Sequence, residues 1–252
     1  MKKFAVYTCI TGGYDAPPAH AALCPDADYW CFVGQGEKRQ EWLGEWRVVE
    51  LPFCSGEAVR DARRAKLLPH RLLPDYEYTL WVDANIGIMD PEFYALLQRK
   101  MTEEVPLSGL WHPFTDCAYE EAVRVVHSWR ERLCRVLRTV HFLRREHFPH
   151  HFGMFETGVM LRHNTPEVRE FCERWWWMLS RFSHRDQLSF PYCMWKSGFS
   201  WDSLLPPGQG VRNHPWFRYD RHTEAAPSHQ GFIDRKWNGL REAALKWYAS
   251  QP

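Results

Sequence analysis

The sequence predicts an α/β fold, and three observations lead to this prediction. Runs rich in β-branched and aromatic residues alternate with runs whose apolar residues recur at helical spacing. The clearest strand lies within residues 73–89 and ends in the acid Asp83. The first strand-like run ends in a turn that contains Gly12 and Gly13. Such α/β sheets bind ligands at the carboxyl ends of their strands, so we expect a site there.

Two oxygen-bearing side chains, Asp83 and Asn85, lie at the carboxyl end of the strand within residues 73–89. Because successive strand side chains point to opposite faces, these two can face the same way across Ala84. They could hold a hard cation and, through it, a phosphate. The alternative is a strand-end aspartate that only caps a turn, since a short motif alone does not decide between the two.

Composition places the chain among globular proteins. Its 252 residues suit one large domain, and 45% hydrophobic residues with 14 Trp can form a full core. A formal net charge of +1 argues against a nucleic-acid binder. The eight cysteines include no C-x-x-C pair, which favours reduced thiols over a zinc site. No run approaches the ~20 apolar residues needed to span a bilayer, so we expect a soluble, cytoplasmic protein.

The first half of the chain predicts strands at residues 4–10, 29–33 and 47–51, then a helix over residues 56–68. Arg60, Arg63 and Lys66 lie three apart along one face of that helix. Three cations in this arrangement are suited to an anionic ligand, and a solvated basic face is the alternative.

A long stretch without Gly or Pro, residues 119–148, predicts one helix or two helices broken near His141. One face carries many arginines and few glutamates. Such a helix can contact an anionic membrane at its inner, cytoplasmic face or an anionic acceptor, and a solvated face is again the alternative. The arginines are Arg124, Arg130, Arg132, Arg135, Arg138, Arg144 and Arg145.

The remaining elements are a strand and two helices. In the strand of residues 155–163, Gly158 allows close approach of another group. Thr165-Pro166 begins one helix, and the polar run at residues 183–186 begins the next, in which Pro191 predicts a kink. From residue 206 onward we expect a tail that packs across the site.

Six blocks now identify a resemblance: VYTCITGGYD, RDARRAKLLPH, YTLWVDANI, GLWHPFTDCAYEEA, FETGVMLRHN and RDQLSFPYCMWK. In this order, over about residues 4–195, they resemble the glycosyltransferase-like family shared by plant Golgi proteins of pollen and seed mucilage and by bacterial polysaccharide-locus proteins. The resemblance implies a GT-A fold, with a single mixed central sheet flanked by helices. It implies one domain over residues 1–252: a nucleotide-sugar-binding half (1–112), an acceptor-side half (113–205) and a C-terminal tail (206–252).

The resemblance also implies roles for individual residues, around a divalent ion, Mn²⁺ or Mg²⁺. Metal ligands would be Asp83 and Asn85, with His214 as the first choice for a histidine ligand and His222 as the second. Donor-binding residues would be Thr8, Tyr14 and Asp15 toward the nucleoside, Arg60, Arg63 and Lys66 toward the phosphates, and Gln187 beside the transferred sugar. Asp186 would be the catalytic base, with Glu156 behind it. Because Asn85 replaces an acid of the wider superfamily's motif, the metal site is weaker by one carboxylate.

The implied function is transfer of a sugar from a nucleotide-diphosphate donor to a carbohydrate or lipid-linked glycan acceptor, in surface polysaccharide biosynthesis. Two alternatives remain open. One is a non-catalytic module that binds sugar nucleotides or glycans, and the other is a metal-assisted hydrolase that uses Asp83. A hydrolase with two metal ions would need a second carboxylate cluster, which the sequence does not show.

Overall fold

The computed structural model describes residues 4–13, 19–38, 40–128 and 130–220, together with residues 239, 243, 245, 246 and 248. The strands are β1 Phe4–Ile10, β2 Ala27–Val33, β3 Trp42–Leu43, β4 Trp46–Glu50, β5 Tyr78–Val82, β6 Ile86–Ile88, β7 Leu107–Trp111, β8 Phe155–His163 and β9 Phe217–Tyr219. The helices are α1 Ala58–Leu67, α2 Pro69–Leu72, α3 Glu92–Thr102, α4 Ala118–His127, α5 Leu133–Arg145, α6 Pro166–Arg181 and α7 Asp186–Ser197.

Seven of these strands form one mixed sheet, in the order β3-β4-β2-β1-β5-β8-β7, which confirms the predicted α/β fold. Strands β4, β2, β1 and β5 are parallel. Strand β8 is antiparallel to β5, with Val82 opposite Val159, so the start of β8 lies beside the end of β5. This brings Glu156 and Thr157 to the edge where Asp83 leaves β5. The predicted donor and acceptor halves therefore share one sheet.

Both faces of the sheet are covered, which explains why β1 and β5 read as nearly continuous apolar runs. On one face, α1 and α4 to α7 pack into a core that includes Trp175 and Phe190. On the other face, α3 and the small β6–β9 sheet pack around Phe93 and Ile88. The site lies at the edge of the sheet, where helices from the first face meet the ends of the strands.

The predicted helix over residues 119–148 is two helices: α4 ends at His127 and α5 begins at Leu133, so the division does not lie near His141. Two contacts account for this position. The Ser128 hydroxyl donates to the Arg124 carbonyl at 2.8 Å and closes α4. The Glu131 carboxylate accepts from the His184 backbone N–H at 2.7 Å and from the Ser183 hydroxyl at 3.2 Å, just before α7. A tertiary contact therefore ends the helical pattern.

The break also divides the predicted basic face, and several of its arginines contact the protein's own side chains. Arg135 lies 2.9 Å from His184 Nδ1. The guanidinium of Arg144 lies 4.6 Å from the ring of Tyr248. No helix among the described residues has the length and apolar character to cross a membrane. Contact of this surface with an anionic membrane stays a prediction.

The predicted tail is described over residues 206–220 and at five later positions. Within residues 206–220, β9 pairs with β6. Shortly before residue 206, the Leu204 N–H donates to the Gly109 carbonyl at 2.8 Å. The beginning of the predicted tail therefore packs onto the domain. Residues 221–238, which include His222, lie outside the described residues. Helix α7 runs through Pro191 and ends at Gly198, whose φ of 67° is typical of a helix C-terminus.

The N-cap of α6 gives the first prediction. Thr165 Oγ1 accepts a hydrogen bond from the Val168 N–H at 3.3 Å, and Pro166 occupies the first turn. We expect Thr165→Ala to lower the free energy of unfolding by about 1 kcal/mol, measured by chemical denaturation. Thr165→Ser, which keeps the acceptor, is the control and should stay close to the parent. Equal losses in both variants would show that the cap does not contribute.

Candidate active site

The Lys66 side chain lies at the centre of the site and is 2% exposed. Its ammonium nitrogen lies 3.2 Å from Asp83 Oδ1, 2.8 Å from Asp186 Oδ2 and 3.2 Å from Thr157 Oγ1. A buried ammonium needs this degree of compensation, because it loses its hydration. Ala65 beside it is fully buried in the core, so this part of α1 packs inside the protein.

Asp83 is fixed on one side and open on the other. Its Oδ1 accepts from the Trp81 indole at 2.7 Å as well as from Lys66, while the side chain as a whole remains 37% exposed. A Cβ added at Gly158 would lie 3.3 Å from Asp83 Oδ2 and 3.0 Å from Ile86 Cδ1. The group predicted to approach Gly158 is therefore the Asp83 carboxylate together with Ile86.

Asp186, by contrast, is enclosed, with 2% of its side chain exposed. Its Oδ2 accepts from Arg63 Nη1 at 2.8 Å and from Thr157 Oγ1 at 2.9 Å, in addition to Lys66. Burial alone would raise the pKa of Asp186, but the charges of Arg63, Lys66 and Arg185 hold that pKa well below its usual range. The carboxylate therefore stays ionised and has little affinity for a proton.

Glu156 has the opposite character. Burial raises its pKa, the ion pair with Arg212 opposes this rise, and the nearby Asp83 charge adds to it. A carboxylate with a raised pKa is better matched to proton transfer near neutral pH than one with a depressed pKa. Of the two predicted catalytic acids, Glu156 therefore has the environment of a base, and Asp186 that of an ion-pair anchor.

Two of the predicted metal ligands, Asn85 and His214, make hydrogen bonds to the backbone. The Asn85 amide is buried and donates to the Asp220 carbonyl at 3.1 Å, and His214 Nδ1 accepts from the Trp216 N–H at 3.3 Å. Among the residues that the structure describes, no three His, Cys, Asp or Glu side chains form a group that could hold a metal. Mg²⁺ commonly binds one or two carboxylates and takes its other ligands from phosphates and water. The open side of Asp83 fits that pattern.

The predicted donor-binding residues are distributed unevenly. Thr8 is fully buried within β1, and its Oγ1 has no hydrogen-bond partner among the described residues. The Arg60 guanidinium lies 5.9 Å from the Trp176 ring on α6, whereas Arg63 and Lys66 both reach Asp186. Gln187 is partly exposed in the first turn of α7. Tyr14 and Asp15 lie outside the described residues.

Five residues in or beside the site had no role predicted from sequence: Thr157, His112, Glu121, Arg185 and Arg212. His112 Nε2 lies 3.8 Å from Glu121 Oε2, and burial together with Arg124 and Arg212 lowers the pKa of His112 to about 4. Thr157 lies next to the predicted Glu156, so the strand pattern could have found it. Arg212 belongs to an irregular segment with no sequence signal.

Comparison with known proteins decides the family. The profile described as TOD1/MUCI70, glycosyltransferase-like domain, matches residues 32–202 of the chain. The chain belongs to the TOD1/MUCI70 family. The matched region contains Lys66, Asp83, Glu156 and Asp186, so these four side chains all lie within the TOD1/MUCI70 domain. Thr8, Arg212 and His214 lie outside the matched residues.

Two similar proteins of Arabidopsis thaliana carry different names. The chain is 28% identical over 163 residues to one named probable hexosyltransferase MUCI70, a match that covers 59% of this chain and 27% of that protein. It is 25% identical over 162 residues to one named alkaline ceramidase TOD1, with 60% and 35% covered. The chain thus matches about a quarter to a third of each relative's length.

The Lys66 bridge gives the second prediction. Lys66→Met leaves two carboxylates without their shared cation, so we expect a loss of about 3 kcal/mol in the free energy of unfolding at pH 7. Because the Asp186 pKa in the parent is depressed, its contribution to stability is present above about pH 4 and is lost as the pH falls further.

In the variant, the repulsion between Asp83 and Asp186 disappears only when these carboxylates are protonated. The difference in stability between Lys66→Met and the parent should therefore shrink below about pH 4. Urea denaturation between pH 7 and pH 3 measures this. Lys196→Met removes a more exposed partner of Glu146 and is the control, with an expected loss under about 1 kcal/mol. A Lys66→Met loss that does not change with pH would contradict the bridge.

Proposed function

We propose that the chain is a glycosyltransferase that moves a sugar from a nucleotide-diphosphate donor to a carbohydrate or lipid-linked glycan acceptor, in surface polysaccharide biosynthesis. Membership of a glycosyltransferase-like domain family supports this, as does the similarity to a protein named probable hexosyltransferase. The observation that carries the proposal is the Lys66 cluster, which consists of Lys66, Asp83, Thr157, Asp186 and Arg63. It holds a partly exposed carboxylate, Asp83, and the cation Arg63 at the ligand edge of the sheet.

The donor's diphosphate would lie against this edge. Asp83 would hold Mn²⁺ or Mg²⁺ there, and a bound divalent ion would neutralise charge on the departing nucleotide. The chain's own contribution is to fix Asp83: the Lys66 ammonium and the Trp81 indole both bind Oδ1 and leave the rest of the carboxylate exposed. Groups already oriented toward the developing charge need no reorganisation when the bond to the nucleotide breaks.

A base is needed in an inverting transfer, to take the proton of the acceptor hydroxyl. We assign this role to Glu156, because burial raises its pKa and its position in β8 places it within electrostatic reach of Asp83. Asp186 then has an indirect role: its carboxylate holds the Arg63 and Lys66 side chains in place and stays ionised throughout.

The third prediction tests the activity. The protein with Mn²⁺ should release nucleotide from one member of a panel of sugar nucleotides, and faster when the matching glycan is added. Asp83→Ala should lose this release and the metal-dependent part of nucleotide binding measured by calorimetry. Asp75→Ala, which removes an exposed aspartate before β5, is the control and should leave both unchanged.

The alternatives give different results in the same assay. A binding module would bind a nucleotide through Asp83 and release nothing. A hydrolase is favoured by one observation, the similarity to a protein named alkaline ceramidase. A short-chain ceramide should therefore be included. Cleavage of its amide by the parent and not by Asp83→Ala, without turnover of any sugar nucleotide, would overturn the glycosyltransferase proposal.

The fourth prediction separates the two acids. Glu156→Gln should lower turnover at saturating donor by about a hundredfold or more and leave donor binding in place, as expected for loss of a base. Asp186→Asn should instead lower the melting temperature, because Arg63 and Lys66 lose their shared carboxylate. Thermal denaturation and turnover are measured on both variants. A stable Asp186→Asn protein without turnover, beside an active Glu156→Gln protein, would return the base role to Asp186.

A further inference from the structure

Arg185 is a partly exposed cation beside this site. It is the residue before α7, next to Asp186. Its Nε is buried and has no hydrogen-bond partner among the described residues. A buried guanidinium nitrogen without a partner is costly, because a desolvated donor loses the hydrogen bond that water would give it. Such an atom points to a ligand that completes it.

The charges around Arg185 add to this. Burial lowers the pKa of Arg185, and the neighbouring cations Arg63 and Arg130 lower it further, against the opposing effects of Asp186 and Glu121. Asp186 already compensates Arg63 and Lys66 through contacts of 2.8 Å each. The cluster therefore holds more positive than negative charge on the side of Arg185, and an anion bound there would be stabilised.

Of the three predicted phosphate ligands, Lys66 and Arg60 are less suited to binding an anion than Arg63. The Lys66 ammonium is 2% exposed and is occupied by Asp83, Asp186 and Thr157. The Arg60 guanidinium lies over the Trp176 ring. Arg63 remains 22% exposed beside Asp186, within electrostatic reach of Arg185. A guanidinium group matches the oxygens of a phosphate in geometry as well as in charge.

We propose that Arg185, with Arg63 beside it, binds the diphosphate group of the donor. This assignment rests on the proposed function, since it names the contact that the donor makes with this site. Lys66 then orients the carboxylates and does not touch the donor. Arg185 would contact the phosphates from the α7 side, and Asp83 from the β5 side.

Calorimetry on Arg185→Gln tests this, with UDP, GDP, CDP and ADP, their nucleosides, and inorganic pyrophosphate as probes in the presence of Mg²⁺. We expect the diphosphate that binds the parent most tightly, and pyrophosphate, to bind about 10- to 100-fold more weakly, and any nucleoside binding to be unchanged. Arg185→Lys should recover part of the loss. Arg181→Gln is the control, because that exposed arginine lies over Trp177 on α6, and it should bind like the parent.

The remaining outcomes separate the assignment of Arg185 as a diphosphate ligand from the proposed glycosyltransferase function. Parent-like binding of nucleoside diphosphate by Arg185→Gln would overturn the assignment and leave the proposed function in place. Pyrophosphate binding that depends on Arg185, without binding of any nucleoside diphosphate, would support the anion site and overturn the sugar-nucleotide function. Absence of binding by the parent to every probe would overturn both. If Arg185→Gln does not fold, the comparison of Arg185→Lys between diphosphate and nucleoside decides, since a structural role would weaken both equally.

Discussion

The site depends on the buried ammonium of Lys66. It joins four elements of the fold: α1 supplies the lysine, the end of β5 supplies Asp83, β8 supplies Thr157, and the first residue of α7 is Asp186. A charge removed from water at this depth is tolerated only with compensating carboxylates in good geometry. Each of these elements therefore contacts the same ammonium at the ligand edge, and a shift in one would remove part of the compensation of its charge.

The two predicted catalytic acids near this ammonium have different properties. Asp186 receives hydrogen bonds from Arg63, Lys66 and Thr157 and is kept ionised, whereas Glu156, nearby on the same strand as Thr157, is more easily protonated because burial raises its pKa. Two carboxylates with separated pKa values allow one to serve as a fixed charge and the other to exchange protons. Sequence position alone could not separate them, since both follow an ordinary strand or cap pattern.

Most of the fold could be predicted from local patterns. The apolar runs of β1 and β5 and the capped start of α6 are visible in the sequence because burial on both faces and helix capping leave local signals. Of the site, Asp83 and Lys66 were singled out, but the contact between them was not, because it joins residues of different elements. The division between α4 and α5 was misplaced for the same reason: Glu131 leaves the helix to bind backbone next to α7.

Some residues of the site lie within the region that matches the family, and others lie outside it. Lys66, Asp83, Arg185 and Asp186, which we assign to the donor side, all lie within residues 32–202, but Arg212, the ion-pair partner of Glu156, lies beyond them. The proton affinity of Glu156 is therefore set partly by a segment outside the matched region. Under the proposed function, the residues assigned to the donor therefore lie in the matched region, whereas the proton affinity of the assigned base depends on a residue beyond it.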